Sequence, residues 1–124
     1  MKKVNSIAII WEQIEWGGVD SYLNYLLNNR MFEKIKVTIF SNKNNKGLKR
    51  FIRSNKNLSL EIIEYNSILS FQFDNLIINK LYYFLKPLFF ILTYYQLKNL
   101  LKKKKYDAYL GICGGYGQIR GEMA

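Results

Sequence analysis

The chain alternates between short apolar runs and segments in which apolar residues recur at helical spacing. Residues 6–11 form a continuous apolar run, which is typical of a strand covered on both faces of a parallel sheet. Residues 35–40 are rich in β-branched side chains, residues 58–65 alternate as a more exposed strand does, and residues 106–113 are again mostly apolar. The pattern predicts four strands.

Each gap between these strands contains a segment with a helical pattern. Apolar residues recur at helical spacing from position 19 to 27, with Asp20 where an acid favours a helix start. Residues 43–56 predict a short surface helix with a basic outer face. Residues 74–105 are helical in pattern, but Pro87 lacks an N–H and disfavours helix before it, so we expect a kink or two helices there.

Strands that alternate with helices predict an α/β fold with a doubly wound parallel sheet, which is Rossmann-like. The length of 124 residues, with 49% apolar, suits one domain. In the common strand order 3-2-1-4, the first and fourth strands are neighbours, and ligands bind outside their carboxyl ends. The loops at that place contain Gly17 and Gly18 after the first strand, and Gly114 and Gly115 after the fourth.

The amino-acid composition excludes several kinds of metal and catalytic site. The chain has no histidine and one cysteine, Cys113, so zinc sites and Ser/His or Cys/His nucleophile pairs cannot be assembled from it, and we expect no metal. The apolar run after the basic residues 2–3 is short and is interrupted by Glu12 and Glu15, with no small-residue cleavage site. We therefore expect a cytoplasmic protein.

The net charge of +10 is concentrated in residues 42–58 and 80–105, and some of it reflects a Lys- and Asn-rich composition. Both segments suit an anionic partner. In neither are aromatic residues interleaved with the basic ones on one predicted face, and no nucleic-acid motif is present, so we expect no nucleic-acid partner. Residues 76–105 have too many interruptions to predict a membrane span. They predict either a helix lying on an anionic bilayer or a helix buried against the sheet with its lysines in water.

Two glycine-rich loops are candidate sites. Gly17 and Gly18 open a helix directly after a strand, where backbone N–H groups and the helix dipole attract phosphate, although two glycines also simply turn a chain. The glycines at 115, 117 and 121 form a relaxed dinucleotide fingerprint, for which a glycine-rich turn is the alternative. Glu12 and Glu15 are either a carboxylate pair for acid/base chemistry or solvated residues, and Trp16 is a candidate ligand contact whereas Trp11 is expected in the core.

The order of a strand, Glu-x-x-Glu-Trp-Gly-Gly-Val-Asp-Ser-Tyr-Leu, a helix and then Val-Thr-Ile-Phe-Ser resembles the start of GT-B glycosyltransferases of the family-4 type. Tyr-Asp-Ala-Tyr at residues 106–109 and the glycine-rich segment after it resemble the later strand and loop of the same domain. The resemblance implies that residues 1–124 are a truncated N-terminal, acceptor-side domain, without the nucleotide-sugar domain.

The resemblance also implies a function. The complete enzyme would transfer a hexose from a nucleotide sugar, with no other cofactor, to a glycan or lipid-linked acceptor in cell-envelope polysaccharide synthesis, and this chain alone would be inactive. Gly17 and Gly18 would meet the donor diphosphate, while Trp16, Gly114, Gly115 and Tyr116 would contact substrate; the resemblance assigns no catalytic residue. The alternatives are a non-catalytic membrane- or glycan-binding module and a nucleotide-cofactor domain. We expect an anionic membrane surface as a further partner, on the inner face of the cell membrane.

Overall fold

The computed structural model describes residues 4–12, 18–29, 32–56, 58–66 and 74–112, in which strands and helices alternate. The elements in chain order are β1 (Ser6–Trp11), α1 (Gly18–Leu27), β2 (Lys36–Asn42), α2 (Leu48–Ser54), β3 (Leu60–Tyr65), α3 (Leu76–Lys102) and β4 (Ala108–Ile112). The predicted α/β class is confirmed.

The four strands form one parallel sheet in the order β3-β2-β1-β4. Ile9 in β1 pairs with Ile39 in β2 on one side and with Leu110 in β4 on the other. The chain order reverses at β1, so the predicted order is confirmed and the switch point lies between β1 and β4.

Helices cover both faces of the sheet, and alternate strand residues decide which face they meet. Ile9 and Ile39 pack under Leu23 of α1 and Phe51 of α2. The next residues along each strand, Ile10 and Phe40 among them, pack under Leu97 and Leu101 of α3. Burial on both faces explains why β1 and β2 are continuous apolar runs in the sequence.

The helix α2 starts later than residue 43, where the sequence placed it, because asparagine side chains form the turn before it. Asn42 Oδ1 accepts a hydrogen bond of 3.0 Å from Asn44 N, and Asn45 Oδ1 accepts one of 2.9 Å from Gly47 N. These local bonds compete with a helix and delay it to Leu48.

The helix α3 is a single element of 27 residues with Pro87 inside it. Of the two alternatives, a kink or two helices, the two helices are therefore excluded, and the kink stays a prediction. A proline removes one backbone bond but leaves the rest of a long ladder in place. Tyr82 and Phe89, which lie on either side of the proline, stack with their ring centroids 5.9 Å apart. Asn75 caps the start, where its Oδ1 accepts a bond of 3.0 Å from Ile77 N.

The helix α3 is longer than the sheet it covers. At about 1.5 Å per residue it spans about 40 Å, whereas a six-residue strand spans about 20 Å. Its carboxyl end leads directly into β4, where Asp107 N donates a 3.1 Å bond to Ser6 O at the amino edge of the sheet. The amino-terminal half of α3 therefore extends past the opposite, carboxyl edge.

The two halves of α3 consequently differ in burial. Leu97 is fully buried, while Ile77 is 78% exposed and Phe84 is 82% exposed. Of the two alternatives for this segment, burial against the sheet is confirmed for the carboxyl-terminal half only. Contrary to the sequence-based expectation, α3 is long and apolar enough to cross a membrane as judged by length and composition alone.

Asp107 ties the start of β4 to the start of β1 at the amino edge of the sheet. Its Oδ2 accepts bonds of 3.1 Å from Asn5 N, 3.1 Å from Ser6 N and 3.0 Å from Ser6 Oγ. One carboxylate thus satisfies several donors of a strand start that lies more than a hundred residues away.

Candidate functional site

The carboxyl ends of β1 and β4 lie side by side. Trp11, the last residue of β1, pairs with Ile112, the last residue of β4, and with Ser41 of β2 on its other side. Neighbouring strands are about 5 Å apart, so the chain leaves both strands at one place on the sheet. The glycine loops predicted to share a site therefore start from adjacent positions.

Most residues predicted for the site lie outside the described part of the chain. These are Trp16, Gly17, Gly114, Gly115 and Tyr116, together with Glu15 and the glycines at 117 and 121. The positions of these residues stay predictions. The structure shows only where the strands that precede the two loops end.

Gly18 is described, and it is the first residue of α1. It is exposed, its φ is not positive, and a Cβ built on it has nothing within 4 Å. Neither backbone strain nor packing within the described residues therefore requires a glycine here. The position is the start of a helix, whose first N–H groups attract an anion, and the space around a Cβ at Gly18 is open among the described residues.

Two carboxylates lie close in sequence to this helix start, and both are buried. Asp20, in the first turn of α1, is fully buried and Glu12, just after β1, is 1% exposed. The expectation that Glu12 is solvated is therefore wrong. An acidic residue in the first turn stabilises a helix start, and both carboxylates take part in interactions within the protein.

The loop after β2 supplies basic residues at the same edge. It belongs to the basic segment 42–58 that the sequence marked for an anionic partner, but it was not predicted as part of this site. Ser41 and Asn42 are fully buried at the end of β2, and Asn45 Nδ2 donates a 3.1 Å bond to Ser41 Oγ. These bonds hold the loop in place, with Lys43 exposed on it. The run Asn-Lys-Asn-Asn-Lys-Gly was the available signal, because asparagine side chains form turns with their own backbone.

Among the residues that the structure describes at this edge, two buried N–H donors have no hydrogen-bond partner. They are Asn42 Nδ2 and Trp11 Nε1. Trp11 is nonetheless a core residue, as predicted, since it is fully buried and its ring meets Phe51 edge-on at 5.2 Å. Unsatisfied buried donors are costly, which makes this edge a place where an acceptor group would be stabilising.

The clearest electrostatic pair is at the other edge of the sheet. The Glu61 carboxylate of β3 accepts hydrogen bonds from Lys104 Nζ and, at 3.2 Å, from Thr38 Oγ1. The Lys104 bond is the main cause that holds the pKa of Glu61 below its ordinary value, and the same bond raises the pKa of Lys104. This pair fastens the segment after α3 to the sheet rather than forming part of the predicted site.

A shallow depression also lies at that amino edge, between the ends of α1 and α2. Its lining includes Asn28, Glu33 and Asn55. Asn55 Nδ2 links the two helices by donating a 2.6 Å bond to Asn24 Oδ1. No sequence pattern pointed to this place, and the residues around it form a polar contact between helices.

Within the residues that the structure describes, no group of three or more His, Cys, Asp or Glu side chains is arranged to hold a metal ion. Comparison of the chain with known proteins finds no matching family model, no matching curated protein and no matching solved structure.

Proposed function

We propose that this chain is the acceptor-side domain of a glycosyltransferase that transfers a hexose from a nucleotide sugar to a glycan or lipid-linked acceptor in cell-envelope polysaccharide synthesis. The observation that carries the proposal is the shared carboxyl edge of β1 and β4, with the open helix start at Gly18 beside it. The resemblance to GT-B glycosyltransferases is the reason for assigning sugar transfer to this edge.

The chemistry assigned to this edge is electrostatic. Negative charge grows on the departing diphosphate in the transition state, and preorganised N–H donors stabilise it. Gly17 and Gly18 supply those donors at the start of α1, because the space in front of Gly18 is open. Exposed Lys43, in the loop after β2, adds positive charge at the same edge of the sheet. Trp16, Gly114, Gly115 and Tyr116 contact substrate.

The exposure of apolar residues on β4 supports a sheet that continues beyond this strand. β4 is an edge strand of the described sheet, and it exposes Tyr109 by 53% and Leu110 by 37%, on opposite faces. A strand with apolar residues open on both faces suits a sheet that pairs with a further strand and its helices. In the complete enzyme a nucleotide-sugar domain would hold the donor.

A second candidate function is a membrane- or glycan-binding module without catalysis, favoured by the exposed half of α3. A third is a nucleotide-cofactor domain that uses Gly115 and Gly117. In all three the protein acts on the cytoplasmic side, and a glycosyltransferase that uses a lipid-linked acceptor would act at the inner face of the cell membrane.

The test replaces Gly18 by valine in the complete enzyme and measures kcat/KM with a panel of nucleotide sugars. A Cβ at this position meets nothing among the residues that the structure describes, and the proposal places the diphosphate in that space. We expect kcat/KM to fall by about tenfold to a thousandfold, the range that follows loss of a stabilising N–H contact. The melting temperature should change little.

The matched control is Tyr25→Val, which puts the same β-branched residue at a 78% exposed position of the same helix. It should leave kcat/KM unchanged. Unaltered kinetics in Gly18→Val would refute the diphosphate role. Tight binding of a nicotinamide dinucleotide, without binding of any nucleoside diphosphate sugar, would favour the cofactor domain.

A further inference from the structure

A regular row of exposed apolar side chains follows the length of α3. We call it the outer stripe, and its members are spaced alternately four and three residues apart, so that they share one side of the helix. They are Ile77 (78% exposed), Leu81 (59%), Phe84 (82%), Leu88 (52%), Ile91 (49%) and Tyr95 (57%).

The outer stripe is separate from the surface that α3 uses to cover the sheet. Thr93 and Leu97, which are buried, lie on the opposite side of the helix. At about 150–250 Å² per large side chain, the stripe exposes on the order of 700 Å² of apolar surface, above the ~300–600 Å² of the largest patch on a typical monomer. A patch of that size is an interaction surface.

The charged residues beside the outer stripe indicate which kind of partner covers it. Residues 75–106 include no acid, while Lys80 lies three residues after Ile77 and Lys98 three after Tyr95. Both lysines therefore border the outer stripe, and three further exposed lysines follow at 102, 103 and 105. An apolar stripe edged by lysines matches a surface that is apolar inside and anionic at its boundary.

A second copy of the chain fits this surface less well. The four-three spacing resembles a coiled-coil seam, but such seams are stabilised by opposite charges at their borders. Two copies of α3 would bring lysine against lysine with no acid to balance them. Insertion across a bilayer fits poorly too, because Leu97 and Leu101 of the same helix cover the sheet.

We propose that the outer stripe of α3 docks on a bilayer containing anionic lipids, with the helix lying in the plane of the interface. The six apolar side chains enter the boundary between headgroups and acyl chains, to about 5–10 Å. The bordering lysines remain among the lipid phosphates. This proposal stands on α3 alone and does not depend on the proposed function.

The experiment is flotation of the full chain with vesicles of phosphatidylcholine, with and without 30% phosphatidylglycerol, at low salt. The chain should float with the anionic vesicles and should be released as salt rises, since screening removes the lysine contribution. We expect Phe84→Ser with Leu88→Ser to weaken binding at least tenfold. Both positions are exposed, so the fold should persist in circular dichroism.

Matched controls come from other faces of the chain. Tyr22→Ser with Tyr25→Ser removes two aromatic residues exposed by 60% and 78% on α1 and should leave binding unchanged. Replacing Lys80, Lys98 and Lys102 by glutamine should weaken binding more than replacing Lys43, Lys49 and Lys56, which removes the same charge from the region around α2. Equal losses in the two lysine sets would overturn the proposal.

Three other outcomes also overturn it. The first is flotation that ignores the Phe84 and Leu88 changes. The second is a concentration-dependent dimer that the same two changes abolish, with no vesicle binding, which would assign the outer stripe to a second copy. The third is vesicle-bound protein that resists extraction at pH 11, which would indicate a helix that spans the bilayer.

Discussion

The two halves of α3 are both rich in apolar residues, but they differ in how many of these residues are buried. In the carboxyl-terminal half, Leu97 is fully buried and Leu101 is 7% exposed, whereas Ile77 and Phe84 in the amino-terminal half are about four-fifths exposed. The difference comes from the length of the sheet, because strands of five to seven residues cover only part of a helix of 27. Apolar content alone therefore does not determine which residues of a long helix enter the core.

The two halves are held by different interactions. The carboxyl-terminal half belongs to the core with Ile10, Phe40 and Tyr65. The amino-terminal half is held by its own backbone ladder, the Asn75 cap and the stacking of Tyr82 on Phe89. We therefore expect changes in the amino-terminal half to act locally and changes in the carboxyl-terminal half to act on the whole fold.

The largest effect is expected from Leu97→Ala compared with Leu88→Ala. The first deletes a fully buried side chain and should lower the free energy of unfolding by about 2–5 kcal/mol, because it leaves a cavity against the sheet. The second truncates a half-exposed leucine and should change it by about 0.5 kcal/mol or less. Urea denaturation followed by circular dichroism measures both. Similar losses would contradict the division of the helix.

A smaller effect is expected at the exposed end of the helix. Asn75→Ala removes the acceptor for Ile77 N and Ile78 N and should cost about 1 kcal/mol of local helix stability. Amide hydrogen exchange should speed up in the first two turns while the amide of Leu97 keeps its protection. Asn75→Asp, which retains a capping oxygen, is the control. Loss of protection along the whole helix would show that the halves are coupled.

The smallest effect is expected where the segment after α3 is fastened to β3. The pKa of Glu61 is lowered in the folded protein, mainly by the bond from Lys104, so the pair stabilises the fold above the ordinary pKa of 4.5. That contribution is lost as pH falls through the lowered value. The stability difference between the wild type and Glu61→Gln should therefore be present at pH 7, shrink at high salt and vanish at low pH.

The control for this pair is Glu64→Gln, which removes the same charge from the same strand. Chemical denaturation at several pH values measures each difference. A stability difference for Glu61→Gln that stays constant from pH 7 to pH 2 would contradict the role of the ion pair.

Much of the sheet was predictable because its central strands, β1 and β2, are buried on both faces. A strand such as β1 is then an unbroken apolar run, and alternation with helices leaves few topologies. The start of α2 was harder, because it depends on side-chain bonds from Asn42 and Asn45 that compete with the helix. At Pro87 the sequence left a kinked helix and two helices as alternatives, because the proline removes one bond and the rest of the ladder decides whether the helix continues.

The sequence predicted where in the fold the candidate site lies, but it did not predict that an acidic side chain beside the site is buried. Parallel strands bring their carboxyl ends to one edge, which put the loops after β1 and β4 together from the sequence alone. The burial of Glu12 follows from packing between elements, and no local pattern in the sequence reports it. The two loops hold most of the predicted residues, and of these the structure describes Glu12 and Gly18.

The distance in sequence between β1 and β4 has a consequence for synthesis on the ribosome. The bond from Ser6 N to Asp107 joins residues 101 positions apart. At about 5–20 residues per second, β1 waits on the order of 5–20 s for its second neighbour. All of α3 is made within that interval. A nascent chain therefore exposes an open strand edge and its most apolar helix together, which makes this interval the one in which a chaperone or a nearby membrane surface can capture it.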